Sequence, residues 1–167
     1  NSVYGVGYKR DASFSDTENH WAKDNIEFVA SRGLLSGVTP TTFAPNVAIT
    51  RADFLTALGK LSGVDVSGYQ TSSFTDVAQD SAALPYIEWA YQKGIVAGMG
   101  NKQFGPGSAI TREQMAVMLQ KYAKVAGYFI PVIRQYNPFT DDDKISSWAK
   151  EAVKDVARAG IINGKDG

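Results

Sequence analysis

Two dipeptides carry the chemistry worth following in this chain. Thr50-Arg51 and Thr111-Arg112 each place an arginine directly after a residue suited to cap a helix. A helix start already favours anions, through amides that lack intrahelical partners and through its positive dipole end. An arginine beside it adds a planar fork of donors that grips a carboxylate in bidentate fashion. A charge-assisted bond of that kind is worth about 1.5–3 kcal/mol net. This is chemistry for holding an acidic group, not for transforming one. The remaining inventory is poor in catalysts. Cysteine is absent, which excludes disulfides and thiolate metal sites, and His20 is the single histidine. Asp141-Asp142-Asp143 suggests calcium, but a calcium loop counted from Asp141 needs a glycine sixth and a glutamate twelfth, where Ser146 and Ala152 stand. The acid run reads more simply as a helix start. No motif selects a carboxylate pair for glycoside hydrolysis, and Gly98-Met99-Gly100 lacks the third glycine or lysine of a phosphate loop. No cofactor and no metal are therefore expected, and the chain is not read as an enzyme.

Seventeen basic and seventeen acidic residues cancel over 167 positions, so the net field attracts neither nucleic acid nor an anionic membrane surface. The longest apolar stretch, near Tyr128–Ile133, is broken by Pro131 and too short to span a bilayer. The chain begins at Asn1 with no basic-then-apolar leader, which reads as a processed or excised product of a secreted protein.

The elements that must position the arginines recur. Three segments align in order. The first carries Phe14-Ser15-Asp16, Trp21-Ala22, Gly33 to Gly37, Phe43-Ala44-Pro45 and Ile49-Thr50-Arg51. The second carries Phe74-Thr75-Asp76, Gly94 to Gly98, Phe104-Gly105-Pro106 and Ile110-Thr111-Arg112. The third carries Phe139-Thr140-Asp141, Trp148-Ala149 and Gly160 to Gly164, which is the first half alone. The division follows: an extension over 1–13, a repeat over 14–61, a connector over 62–73, a repeat over 74–126, a connector over 127–138 and a half repeat over 139–167. Each unit predicts helix, turn, short extended piece, turn, helix. Apolar positions fall at helical spacing in Ala22, Ile26, Val29 and Ala30, and again in Ala149, Ala152, Val153, Val156 and Ala157. Gly33, Gly94 and Gly160 are helix stops of the Schellman type, each followed by an apolar residue that should fold back. Phe43 and Phe104 are expected core anchors. Phe54, Leu55, Leu58 and Leu61 form the stripe of one second helix; Met115, Met118, Leu119, Tyr122 and Ala126 form the other. Tyr4–Tyr8 alternates like a short strand. Connector 127–138 is apolar enough to be expected to pack.

The ordered set Phe-x-Asp, Trp, Gly-x-x-x-Gly, Phe-x-Pro and Ile-Thr-Arg closely resembles the S-layer homology (SLH) repeat of bacterial surface proteins, over about residues 14–167. The family's Thr-Arg-Ala-Glu signature appears here as Thr50-Arg51-Ala52-Asp53 and Thr111-Arg112-Glu113-Gln114. The resemblance implies a mostly α fold, a pseudo-threefold helical bundle with short extended connectors. It also implies a non-catalytic anchor at the cell surface. Such a module binds an anionic, pyruvylated secondary cell-wall polysaccharide in grooves between repeats, with other surface-layer subunits as a further class of partner. Arg51 and Arg112 would then be charge anchors. Gly37 and Gly98 would allow close approach of the ligand. Trp21 and Trp148 are candidate sugar platforms, although their place at helix starts favours the core. Repeat two has Ala82 there, which leaves stacking to Trp89. Asp16 and Asp76 are candidate ligand contacts, with a role as caps of the following helix the simpler reading. The rival to glycan anchoring is a structural module that assembles with other proteins, its Thr-Arg pairs serving as caps only.

Overall fold

A computed structural model describes residues 12–164. It is mostly helical, as the repeats predict, and among the described residues extended structure is limited to isolated bridges at Thr50–Ala109 and Gly100–Gln103. The five helices are α1 (Lys23–Ser31), α2 (Arg51–Ser62), α3 (Leu84–Gln92), α4 (Arg112–Ala126) and α5 (Lys150–Arg158), with a 3-10 turn at Asp142–Lys144. The proposed strand over Tyr4–Tyr8 lies outside the described residues.

Two kinds of helix alternate, and their ends explain why. The second helices α2 and α4 start from side-chain caps: Thr50 accepts from the Asp53 amide, and Thr111 and Gln114 close a full capping box. The first helices α1, α3 and α5 have alanines at the N-cap and no side-chain cap. They start instead from backbone turns, Lys23 N–H donating to His20, Leu84 to Ser81 and Ala149 to Ser146. Their stops are as predicted. Gly33, Gly94 and Gly160 sit at φ of +66°, +71° and +73°, and the amides of Leu34, Ile95 and Ile161 reach back to Val29, Ala90 and Val156. Of the three apolar residues that follow, Ile95 is fully buried while Ile161 is 54% exposed.

Packing runs from one repeat to the next: α3 lies against α2, and α5 against α4. The larger core joins Leu55 and Leu58 of α2 to Ile87, Trp89 and Ala90 of α3, with Phe74, Ile95 and Phe104 closing it. A second cluster sets Ala116 of α4 against Ala149, Ala152, Val153 and Val156. Phe14, Ile26 and Ala30 form a third with Phe43. The second helices α2 and α4 are thus covered by the first helix of the following repeat, while the cluster of α1 lies within its own repeat. Two stripe positions at helix ends, Leu61 and Ala126, are exposed. Connector 127–138 departs from expectation more strongly: Phe129 is 86% exposed and Ile133 68%. It is held instead by polar ties, the Ile133 and Arg134 amides on the Arg158 carbonyl and the side chains of Arg134 and Tyr136.

Candidate functional site at the repeat boundaries

Arg51 opens α2, and the cap at Thr50 points its side chain into the next repeat. There it is buried, 5% exposed. Its Nε donates to the Phe104 carbonyl at 3.0 Å, Nη1 to Gln114 Oε1 at 3.2 Å and Nη2 to the Ala97 carbonyl at 3.4 Å. The guanidinium also lies over the Phe104 ring, 4.7 Å from its centroid. Burial lowers its pKa from the free value, and the charge of Asp76 partly offsets this. The helix-start amides are spent as well. Arg51 N–H donates to Ser108 at 2.9 Å, Ala52 N–H to Pro106 at 3.2 Å and Asp53 N–H to Thr50 Oγ1 at 3.1 Å. The expected row of unpaired amides beside Arg51 does not exist. Segment 104–110 of the next repeat fills the place an anion would take, and Arg51 clamps two repeats together.

Asp76 holds that segment from the other side. Its two carboxylate oxygens each accept one backbone amide, Phe104 N–H and Gly105 N–H, both at 2.8 Å. Asp16 repeats the arrangement on Phe43 N–H at 2.9 Å and Ala44 N–H at 2.7 Å. Neither aspartate caps the helix after it; each braces a Phe-x-Pro loop 27 to 29 residues further on. For Asp16 the Phe43 amide is the main cause of a lowered pKa. For Asp76 burial pushes upward, but the Phe104 and Gly105 amides and the Arg51 charge together hold it below the usual value. The middle residue of the loop must turn left-handed: Gly105 does so at φ +72°, and Ala44 at φ +61°.

Gly37 and Gly98 serve the same packing. A Cβ on Gly37 would stand 2.5 Å from Phe14 Cε1 and 2.6 Å from two backbone oxygens; one on Gly98 would stand 2.7 Å from Phe74 Cε1 and 2.8 Å from the Gln103 oxygen. Their closeness is to the protein's own aromatic rings, which is reason enough for glycine.

At the second boundary the described residues engage the arginine less. Arg112 is exposed, and its Nη2 donates to the Asn163 carbonyl. Asn163 aligns with Ala97, so this is the Arg51–Ala97 bond repeated. Its Nε and Nη1, and the Arg112 and Glu113 amides, find no acceptor among the described residues. Arg134 from the connector reaches the same turn, donating to Asn163 Oδ1 at 2.6 Å and to the Ile162 carbonyl at 3.0 Å. Among the described residues neither arginine has a carboxylate partner. Both line a cavity of about 850 Å³ whose wall also carries Lys144, Asp141 and an apolar floor. Arg134 could not be found from the repeats, because it lies between them. The acid run nearby is a short turn in which Asp142 accepts from Tyr136 Oη.

The tryptophans reverse their expected order. Trp21 is 88% exposed beside His20, and Trp148 is 58% exposed. Trp89, the substitute in repeat two, is the buried one, edge-on to Tyr122.

A chain of tandem helical units, packed α2 on α3 and α4 on α5 and clamped by Arg51 at the first boundary, is a repeat module. The comparisons give it a family. The S-layer homology domain model matches residues 13–55, 73–116 and 138–167, and the chain belongs to that family. It is 37% identical over 158 residues to "Exoglucanase XynX" of Acetivibrio thermocellus, covering 94% of this chain and 14% of that protein. It is 36% identical over 161 residues to "Amylopullulanase" of Thermoanaerobacterium thermosulfurigenes, covering 96% and 8%. "S-layer protein EA1" of Bacillus anthracis is 28% identical over 160 residues, covering 93% and 18%. The chain thus spans less than a fifth of each of these relatives.

Proposed function

We propose that this chain is a non-catalytic module that anchors a larger surface protein to the bacterial cell wall by binding an acidic polysaccharide. Membership of the S-layer homology family supports the anchoring role. Relatives as different as an exoglucanase and an S-layer protein share this region while it fills only a small part of each. A portable attachment unit accounts for that pattern, with any catalysis placed elsewhere in the whole protein. Among the described residues no helix is long and apolar enough to cross a membrane.

One observation carries the ligand class: Arg112 stands exposed at a repeat boundary, with Arg134 converging on the same Asn163 and, among the described residues, no carboxylate paired with either. A carboxylate on a sugar, such as a pyruvate ketal, meets both the charge and the fork of donors. Trp148 and Trp21 are exposed rings on which a sugar face can stack. Arg51 contributes by holding two repeats in register. The test is co-sedimentation with purified wall polysaccharide, native and with its pyruvate removed by mild acid. Retention should fall at least tenfold on the stripped glycan; equal retention on both rejects the acidic-group reading. The alternative, an assembly module, is favoured by the exposed Phe129 and Ile133 of the connector. It predicts concentration-dependent self-association without any glycan.

A further inference from the structure

We infer that Asn163 is a site of spontaneous deamidation through the backbone nitrogen of Gly164, and that the carboxylate it gains neutralises the Arg112–Arg134 pair. Of the seven asparagines in the chain, Asn163 alone precedes glycine; the others precede Ser2, His20, Ile26, Val47, Lys102 and Pro138. A side chain on the following residue hinders attack by its nitrogen, and glycine has none and turns freely. Asn25 shows the contrast: it sits within α1, where the Ile26 amide is held by the Ala22 carbonyl at 2.9 Å. The Gly164 amide donates to no acceptor among the described residues, and Asn163 is exposed. Its counterparts Ser36 and Ala97 are exposed too, Ala97 at the boundary where segment 104–110 is packed in place. Neither counterpart has an amide side chain, so this chemistry belongs to the third repeat.

Arg134 assists the step. Its Nε donates to the Ala157 carbonyl at 2.6 Å, and its Nη2 to the Ile162 carbonyl at 3.0 Å and to Asn163 Oδ1 at 2.6 Å. Attack on Asn163 Cγ moves negative charge onto that oxygen, where a preorganised cation stabilises it. The Gly164 nitrogen bonds to Cγ and gives its proton to water; the Cγ–Nδ2 bond breaks, and Nδ2 leaves as ammonia. Water then opens the resulting succinimide at either carbonyl, giving aspartate or isoaspartate. Net, one water enters, one ammonium leaves and one carboxylate remains, with no oxidant or reductant. In aspartate the carboxylate carries the oxygen that Arg134 already holds. In isoaspartate the main chain runs through Cγ, and the former backbone carbonyl, which Arg112 holds, becomes the carboxylate. Either product thus sets a carboxylate on one arginine and beside the other, a charge-assisted pairing. One consequence rests on the acidic-glycan reading above: an aged module releases the wall. The modification itself does not depend on that reading.

The test ages the chain in warm, mildly alkaline buffer and maps tryptic peptides by mass, with isoaspartyl methyltransferase labelling for the isoaspartate product. Asn163 should convert at least tenfold faster than Asn25, Asn46 or Asn101. Gly164→Ala should slow it at least tenfold. Arg134→Ala should slow it about threefold or more in the folded chain and leave the rate in urea unchanged. In Asn163→Asp the new carboxyl, followed by NMR, should titrate below the ordinary aspartate range, and return to it when Arg134 is also changed to alanine. Retention of Asn163→Asp on purified wall polysaccharide should fall at least tenfold from the parent's. Conversion no faster at Asn163 than at the other asparagines, or unchanged in Gly164→Ala, overturns the modification. A rate in folded Arg134→Ala at or above the parent's overturns the assistance, and an ordinary titration in Asn163→Asp overturns the pairing. A parent that is itself not retained would refute the anchoring function, while the conversion rates and the titration still decide the inference about Asn163.

Discussion

Replacing Arg51 and Arg112 by alanine, one at a time, separates the two boundaries. Taken from sequence, both changes should spare the fold, since both arginines open a helix at a surface. The structure predicts otherwise. Arg51→Ala removes hydrogen bonds of 3.0, 3.2 and 3.4 Å and the contact with the Phe104 ring, and it leaves the Phe104 and Ala97 carbonyls without their donor. Hydrogen bonds to a charged group contribute about 1.5–3 kcal/mol each, but they are not additive and the longest is weak. A total loss of about 3 kcal/mol is the working figure, close to the cost of breaking a buried charge network. For a chain of this size that corresponds to a drop of about 6–12 °C in melting temperature. Arg112→Ala removes one exposed bond, so its cost should stay near 0.5 kcal/mol, or about 1–2 °C. Scanning calorimetry reads both. Hydrogen exchange adds a local check, because the Ala52 and Ile110 amides that bridge the first boundary should lose protection in Arg51→Ala alone. If Arg51→Ala melts within 2 °C of the parent (about 1 kcal/mol at most), the clamp is not what joins the repeats.

Further outcomes can be checked on the same preparations. Gly98→Ala should destabilise by about 1–3 kcal/mol in urea melts, because the new methyl meets Phe74 Cε1 at 2.7 Å and a backbone oxygen at 2.8 Å. Ala44→Gly should stabilise by about 0.5–1 kcal/mol, since it relieves an alanine held at φ +61° at some cost in unfolded-state entropy. Asp16 and Asp76 titrate below 3.8 when folded, lower than when unfolded. Their contribution is therefore present at neutral pH and is lost as acid takes the solution below about pH 4 and through the folded values. Acid titration followed by the amide signals of Phe43 and Phe104 should show both loops loosening in that window. Asp76→Asn should flatten the response at Phe104.

How far the sequence reached depends on the range of each interaction. Helix ends were legible because caps and stops are local: Thr111 with Gln114, and Gly94 with Ile95, act within a few residues. The repeat made Phe104 legible as a core anchor. What stayed hidden were contacts made across repeats. Nothing in Thr50-Arg51 says that Ser108 and Pro106 will consume the amides of the helix it opens, and Asp76 looks like a cap until its partners prove to be 28 and 29 residues away. Helical periodicity placed Trp21 and Trp148 at helix starts without saying which way they face, and Trp89 was the one drawn inside. Arg134 had no repeat partner to mark it.

In the function proposed above, an exposed arginine at the second boundary holds an acidic group of the wall glycan. Isothermal titration of purified, pyruvate-bearing wall polysaccharide into the parent and into Arg112→Ala tests it most directly. At least a tenfold loss of affinity is expected in Arg112→Ala, with melting temperature unchanged within about 2 °C. Equal affinity in a variant that is equally folded would contradict it.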